Sequence, residues 1–197
     1  MTALWQPAGH VDWTGSIPRP EGVEPKVQSF LARAQGSDLA VAPEWSYDVA
    51  WVTDHEDELF ADDSPLFVLG CRPVATDDME TVVTNLEQDG FEVVHEGVPD
   101  RIGREYVTPT IVPLRADAFE RTDSPTVVIQ YKTEPMSRTA NLDEASNLAR
   151  GDRVHELSPG PGASLLVWTC SDLLDQQLRR EVDDYARDGN IVVHPQC

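Results

Sequence analysis

Short apolar runs rich in Val, Ile, Leu and Phe alternate along this chain with stretches of helical spacing. That alternation restricts the chain to an α/β fold. From Glu24 to Gln35 the apolar residues Val27, Phe30, Leu31 and Ala34 recur at steps of three, one and three, which predicts an amphipathic helix ending near Gly36. A buried strand is expected over 38–43, a helix within 48–61, a strand over 65–70, and a helix over 78–88 that stops at Gly90. Further strands are expected over 91–94, 111–114 and 126–131, the last strongly β-branched. Residues 133–163 read mostly as loop, with a short helix possible over 143–149 and a turn at Ser158-Pro-Gly-Pro-Gly162. A strand over 165–169 leads into Cys170. A helix follows, on the spacing of Leu174, Leu178, Val182 and Tyr185, and a final strand spans 191–194. Residues 1–22, rich in Pro, Gly and Trp, read as an irregular arm, and 23–197 as one domain without internal repeat or linker.

The 197 residues are long enough to bury a real core. Their net charge of −20 is scattered rather than gathered in a tail, so it reads as a solvated anionic surface. Lys26 and Lys132 are the only lysines. Dense carboxylates with almost no lysine suit a salt-rich cytosol, which points to a halophilic and in particular a haloarchaeal source. The same charge argues against nucleic acid and anionic membranes as partners, both of which call for a basic patch. Cys71, Cys170 and Cys197 form neither an even set nor a CxxC pair, which speaks against a disulfide framework or a zinc site. The opening MTALWQPAGHVDW has no basic n-region or apolar h-region, and no run reaches membrane-spanning length. A cytoplasmic location is expected.

Three polar residues share one kind of address, the end of an apolar β-type run. Glu44 follows LAVAP, Lys132 follows TVVIQY and Cys170 follows LLVWT. Loops at strand ends are where sites assemble in α/β folds. A carboxylate, an ammonium and a thiol meeting there form a workable nucleophilic set. The ammonium lowers the thiol pKa and steadies an oxyanion, while the carboxylate takes the thiol proton. Singly, each has a plainer reading: a helix cap, a solvated charge or a small core hydrophobe. A competing arrangement pairs Cys170 with His155 or His194 as base. No HExxH or comparable spacing suggests a metal.

The combination resembles the carbon–nitrogen hydrolase (nitrilase) superfamily. DLAVAPEWS at 38–46 is similar to the segment bearing its catalytic glutamate, QYKTEPMS at 130–137 to its lysine segment, and LLVWTCSDLLD at 165–175 to its nucleophile segment. Glu144 in EASNLARGDRVHEL resembles the family's second glutamate, and the four segments stand in the family's order. The resemblance implies a nitrilase-like α-β-β-α sandwich and a thiol-dependent hydrolase of a small amide, N-carbamoyl compound or nitrile. Cys170 would be the nucleophile, Glu44 the general base and Lys132 the stabiliser of the tetrahedral intermediate. Glu144 would position the substrate or tune the charge balance, and the backbone N–H of Ser171 would help hold the oxyanion. Asp172 is expected to cap the following helix rather than react. The resemblance implies no cofactor and no metal. Relative to that family the chain stops early and opens atypically. It is therefore expected to be incomplete at the C-terminus and to associate, as a homo-oligomer or with a completing partner chain. The alternative is a binding or regulatory module that works through such a partner.

Overall fold

The computed structural model describes residues 23–99, 103–116, 124–135, 144–160, 163–170, 180, 185 and 190–195. The expected arm over 1–22 lies outside the described residues, as do Ser171, Asp172 and most of the helix expected after Cys170, of which Arg180 and Tyr185 are helical. The architecture is mixed α/β, with a five-stranded sheet, a three-stranded sheet and a two-stranded ribbon.

Helix α1 (Val23–Ala34) buries Val23, Val27, Phe30, Leu31 and Ala34, the stripe that its spacing predicts. Strand β1 (Leu39–Tyr47) follows, then two short 3-10 turns (Val49–Trp51 and Thr53–His55) and the brief α2 (Glu56–Phe60). The helix expected within 48–61 is thus broken into three pieces. Asp48 caps the first by accepting from the Ala50 N–H at 3.2 Å, and a pair to Arg72 at 2.9 Å ties it to the end of the neighbouring strand. After β2 (Leu66–Cys71) and β3 (Val74–Ala75) comes α3 (Thr76–Gln88), then β4 (Glu92–Val94), β5 (Tyr106–Val107), β6 (Pro109–Leu114) and β7 (Thr126–Tyr131). The chain continues through α4 (Glu144–Asn147), β8 (Glu156–Gly160), β9 (Ala163–Val167) and β10 (Ile191–Val193).

The large sheet has the order β1-β2-β6-β7-β4, with β1–β2 and β4–β7 parallel and the central pairings antiparallel. Its side chains alternate between two cores, as strand geometry requires. Phe67, Leu69, Ile111, Val127, Ile129 and Tyr131 face the helix layer of α1 and α3. Val68, Val112, Leu114 and Val128 face Leu157, Leu165, Val167 and Val193 of the small sheet, whose order is β10-β9-β8. Helices, large sheet and small sheet therefore stack in that sequence.

Two expectations are corrected. Part of the region read as loop is strand: β8 pairs antiparallel with β9 and reaches Gly160, so Ser158 and Pro159 are not in a free turn. Pro159 is tolerated because β8 lies at the edge of its sheet among the described residues, with no ladder to maintain there on one side of the strand. The strand before the cysteine ends at Val167, so Trp168 and Thr169 separate it from Cys170.

Candidate active site

Glu44 does not follow its strand, as the sequence suggested, but lies inside it. Between Ala42 and Tyr47 the strand takes five steps while β2 takes two, from Leu69 to Cys71, so three extra residues bulge outward. Pro43, which has no N–H to give a ladder, fits such a break. Alternation resets here: Ala42 and Tyr47, five positions apart, face the same helix-side core. Trp45, next to the glutamate, takes φ 67, a backbone conformation unusual for a residue with a side chain. Ser46 braces the bulge by donating to the Pro43 carbonyl at 2.6 Å. Opposite stands Gly70, where an added Cβ would lie 2.5 Å from both Cα and N of Glu44. The bare backbone of Gly70 is what lets the bulge settle onto β2.

Lys132 follows β7 directly. Its N–H donates to the Thr108 carbonyl at 3.0 Å, and its own carbonyl accepts from Gly151 at 3.0 Å. Gly151 also sits in a space that a side chain would fill, 2.6 Å from the Tyr131 carbonyl. Glu144 opens α4, a single turn docked on the β5 segment. Glu105 N donates to the Asn147 carbonyl at 2.9 Å, and Ala149 N donates to the Tyr106 carbonyl at 2.7 Å.

These elements bring three charges together in the interior. The Lys132 Nζ donates to Glu44 Oε1 at 2.8 Å and contacts both oxygens of Glu144 at 3.2 Å. Glu44 and Lys132 are fully excluded from solvent, and Glu144 is 1% exposed. One ammonium faces two carboxylates, so full ionisation of both would leave an uncompensated negative charge where charge is costly. Burial pushes the Glu44 carboxyl up from 4.5 to about 8. Lys132 opposes that rise, and the nearby Cys170 and Glu144 add to it. For Lys132, burial alone would favour the neutral amine, but the two carboxylates outweigh it and hold the ammonium above its ordinary pKa. The second oxygen of Glu44, Oε2, is buried and has no hydrogen-bond partner among the described residues.

Cys170 completes the set from the small sheet. It is half-buried, not part of a disulfide, and takes φ 44. Trp45 and Cys170 are the non-glycine residues with positive φ among the described residues, and both belong to this site. The thiol is electrostatically coupled to both Glu44 and Lys132. The chain around it is tied down, with Trp168 N donating to the Val193 carbonyl at 2.9 Å and Cys170 N donating to the Pro195 carbonyl at 2.9 Å. Two contacts hold the sheets together beneath it: Thr110 Oγ1 to Thr169 Oγ1 at 2.7 Å, and Gln130 Nε2 donating to the Val167 carbonyl at 2.7 Å.

The structure therefore gathers Glu44, Lys132, Glu144 and Cys170 at one place, while Ser171 lies outside the described residues. The competing histidine bases are placed differently. His194 Nε2 bonds the backbone carbonyl of Cys170. The backbone N–H of His155 donates to Gln130 Oε1 at 2.9 Å, and burial lowers the pKa of its ring. Sequence reasoning passed over Gly70, and it named His194 only as a competing base. The signal for Gly70 was available, as a glycine inside the otherwise apolar run LFVLGC. Among the described residues no group of three His, Cys, Asp or Glu side chains is placed to hold a metal ion, and no helix is long and apolar enough to cross a membrane. In comparisons with known proteins, no family model, no curated protein and no solved structure matches the chain.

Proposed function

We propose that the chain is a thiol-dependent hydrolase of non-peptide carbon–nitrogen bonds in small molecules, an amide, an N-carbamoyl compound or a nitrile, in the manner of the nitrilase superfamily. One observation carries the reading: a lysine with no access to solvent is clamped between two buried carboxylates and coupled to a half-buried cysteine held at positive φ. A core built only for stability gains little from such a cluster, because desolvation offsets the attraction.

The reaction follows from the groups present. Burial holds the Glu44 carboxyl at about 8, so it takes a proton from Sγ far more readily than an ordinary carboxylate would. Oε2, not engaged by Lys132, is the oxygen that receives it. The Cys170 thiolate attacks the substrate carbon, and the electron pair of the carbonyl moves to oxygen. One N–H of Lys132 can serve both Glu144 oxygens, which leaves another for the negative charge as it forms. Glu44 returns its proton to the departing nitrogen as the carbon–nitrogen bond breaks, leaving a thioester. Water, losing a proton to Glu44, then attacks the thioester, and the acid departs as Sγ regains that proton. In a nitrile the thiolate adds to the C≡N carbon while the nitrogen takes the proton from Glu44, giving a thioimidate. One water then adds and ammonia leaves to give the thioester, which a second water hydrolyses to the acid. Glu144 acts through Lys132, holding the ammonium in place and charged. The layered order of helices and two facing sheets supports the sandwich that this superfamily uses.

Intact-protein mass spectrometry tests the proposal, with the protein in molar potassium chloride and a panel of small amides, N-carbamoyl compounds and nitriles. An adduct with the mass of the acyl group, mapped to Cys170 and absent in Cys170→Ala, is the expected result. Glu44→Gln should slow turnover by about 10²–10⁴-fold. Turnover that survives Cys170→Ala would refute it.

A further inference from the structure

We propose that His194 is a positioning residue for the nucleophile: its imidazole holds Cys170 in the left-handed backbone conformation that presents Sγ to Glu44 and Lys132. The inference rests on the proposed role of Cys170 and adds a residue from β10's far end to the site.

Cys170 stands at φ 44, where a side chain crowds its own backbone, so the surrounding structure has to impose this geometry. The restraint comes from the segment that leaves β10. That strand pairs in parallel with β9, with Val193 opposite Val167, so the two chains leave their strands side by side. Pro195 then accepts the Cys170 N–H at 2.9 Å, and His194 Nε2 bonds the Cys170 carbonyl. Both polar backbone groups of the cysteine are thus held by neighbouring residues of one segment. A carbonyl oxygen only accepts, which fixes the imidazole as donor and places the ring hydrogen on Nε2. The contact falls on the backbone of Cys170, so His194 orients the thiol rather than taking its proton. Backbone carbonyls alone could not do this, because the Cys170 carbonyl needs a donor. A side-chain donor immediately before Pro195 supplies it.

Without that donor Cys170 relaxes towards ordinary negative φ, Sγ turns away from the ammonium, and the thiolate loses its stabilisation. Alkylation of the full chain by iodoacetamide between pH 5 and 9, with the modified cysteine located by mass spectrometry, reads this directly. His194→Gln keeps an amide N–H near the position of Nε2, whereas His194→Phe fills the space without a donor. The expected result is a Cys170 rate at pH 7 about tenfold lower in His194→Phe, with its pH midpoint moved up, and within about threefold of wild type in His194→Gln. Melting temperatures of the two variants should agree, which separates positioning from packing. If His194→Gln and His194→Phe are equally slow, or both match a reactive wild type, His194 does not position the thiol and the proposal falls alone. If wild-type Cys170 reacts no faster than Cys71 and Cys197, the proposed function falls, and this inference with it.

Discussion

The two faces of the large sheet are built from the same strands and do opposite work. On the helix side, Phe67, Leu69, Ile111, Val127 and Ile129 form an unbroken apolar surface. On the side facing the small sheet, Val68, Val112 and Val128 give way along β6 and β7 to Thr110, Gln130 and Lys132, all buried. Each polar group there has a defined contact: Thr110 reaches Thr169, Gln130 reaches Val167, and Lys132 reaches Glu44 and Glu144. One face contributes stability through area removed from water. The other gives up part of that gain to place charge at a fixed point between two sheets. The difference teaches that the site is a graded edge of the core, polar only where the two sheets meet beyond Val167.

The sharpest way to break this comparison is to remove the charge that the polar face is organised around. Lys132→Met should cost about 3–5 kcal/mol in urea unfolding, because two buried carboxylates lose their partner. The sign of its pH dependence follows. Glu44 already has a folded pKa, about 8, above its ordinary 4.5, and loss of the ammonium raises it further. The folded state then binds more protons than the unfolded state above pH 4.5, so stability should recover as pH falls towards 4.5. A loss independent of pH would mean that Lys132 is held by packing alone. On the apolar face, Phe67→Ala should cost about 3–4 kcal/mol with no such pH dependence, and the protein that remains folded should keep its full Cys170 reactivity.

Gly70→Ala joins the two faces. Its Cβ would meet the Glu44 backbone at 2.5 Å, so the bulge has to shift. A cost of about 1–3 kcal/mol in thermal unfolding is expected, together with a marked fall in Cys170 reactivity that the stability loss does not account for. Unaltered reactivity would show that the bulge does not aim Glu44. Smallest of all, Thr110→Val should cost about 1–2 kcal/mol, by removing one side of a buried hydroxyl pair between the sheets.

The sequence revealed more of the helix side than of the site. Val27, Phe30, Leu31 and Ala34 fall on one stripe of α1 because helix period and apolar burial coincide, so their spacing declares their face. Glu44, Lys132 and Cys170 were found as residues, each beside an apolar run, but their arrangement was not legible. The bulge that holds Glu44 follows from the pairing of β1 with β2 and from the absence of a side chain at Gly70, contacts between residues more than twenty positions apart. Trp168 and Thr169 were read as strand because they continue an apolar β-type run, yet pairing with β10 stops at Val167 and frees Cys170 to turn. The strand character of β8 was hidden by Pro159 and Gly160, whose composition marks a turn unless an edge strand takes them in.

The central claim is that Glu44 and Cys170 share one proton economy, and the rate of Cys170 alkylation from pH 5 to 9, in wild type and Glu44→Gln, tests it most directly. Coupled groups titrate as a pair. The wild-type profile should therefore show two steps, one of them near the Glu44 value of about 8. In Glu44→Gln that step should vanish, leaving a single thiol ionisation at lower pH, because the repelling carboxylate is gone while Lys132 remains. Superimposable profiles in the two proteins would contradict the account, since Glu44 would then be a buried carboxylate that the nucleophile does not sense.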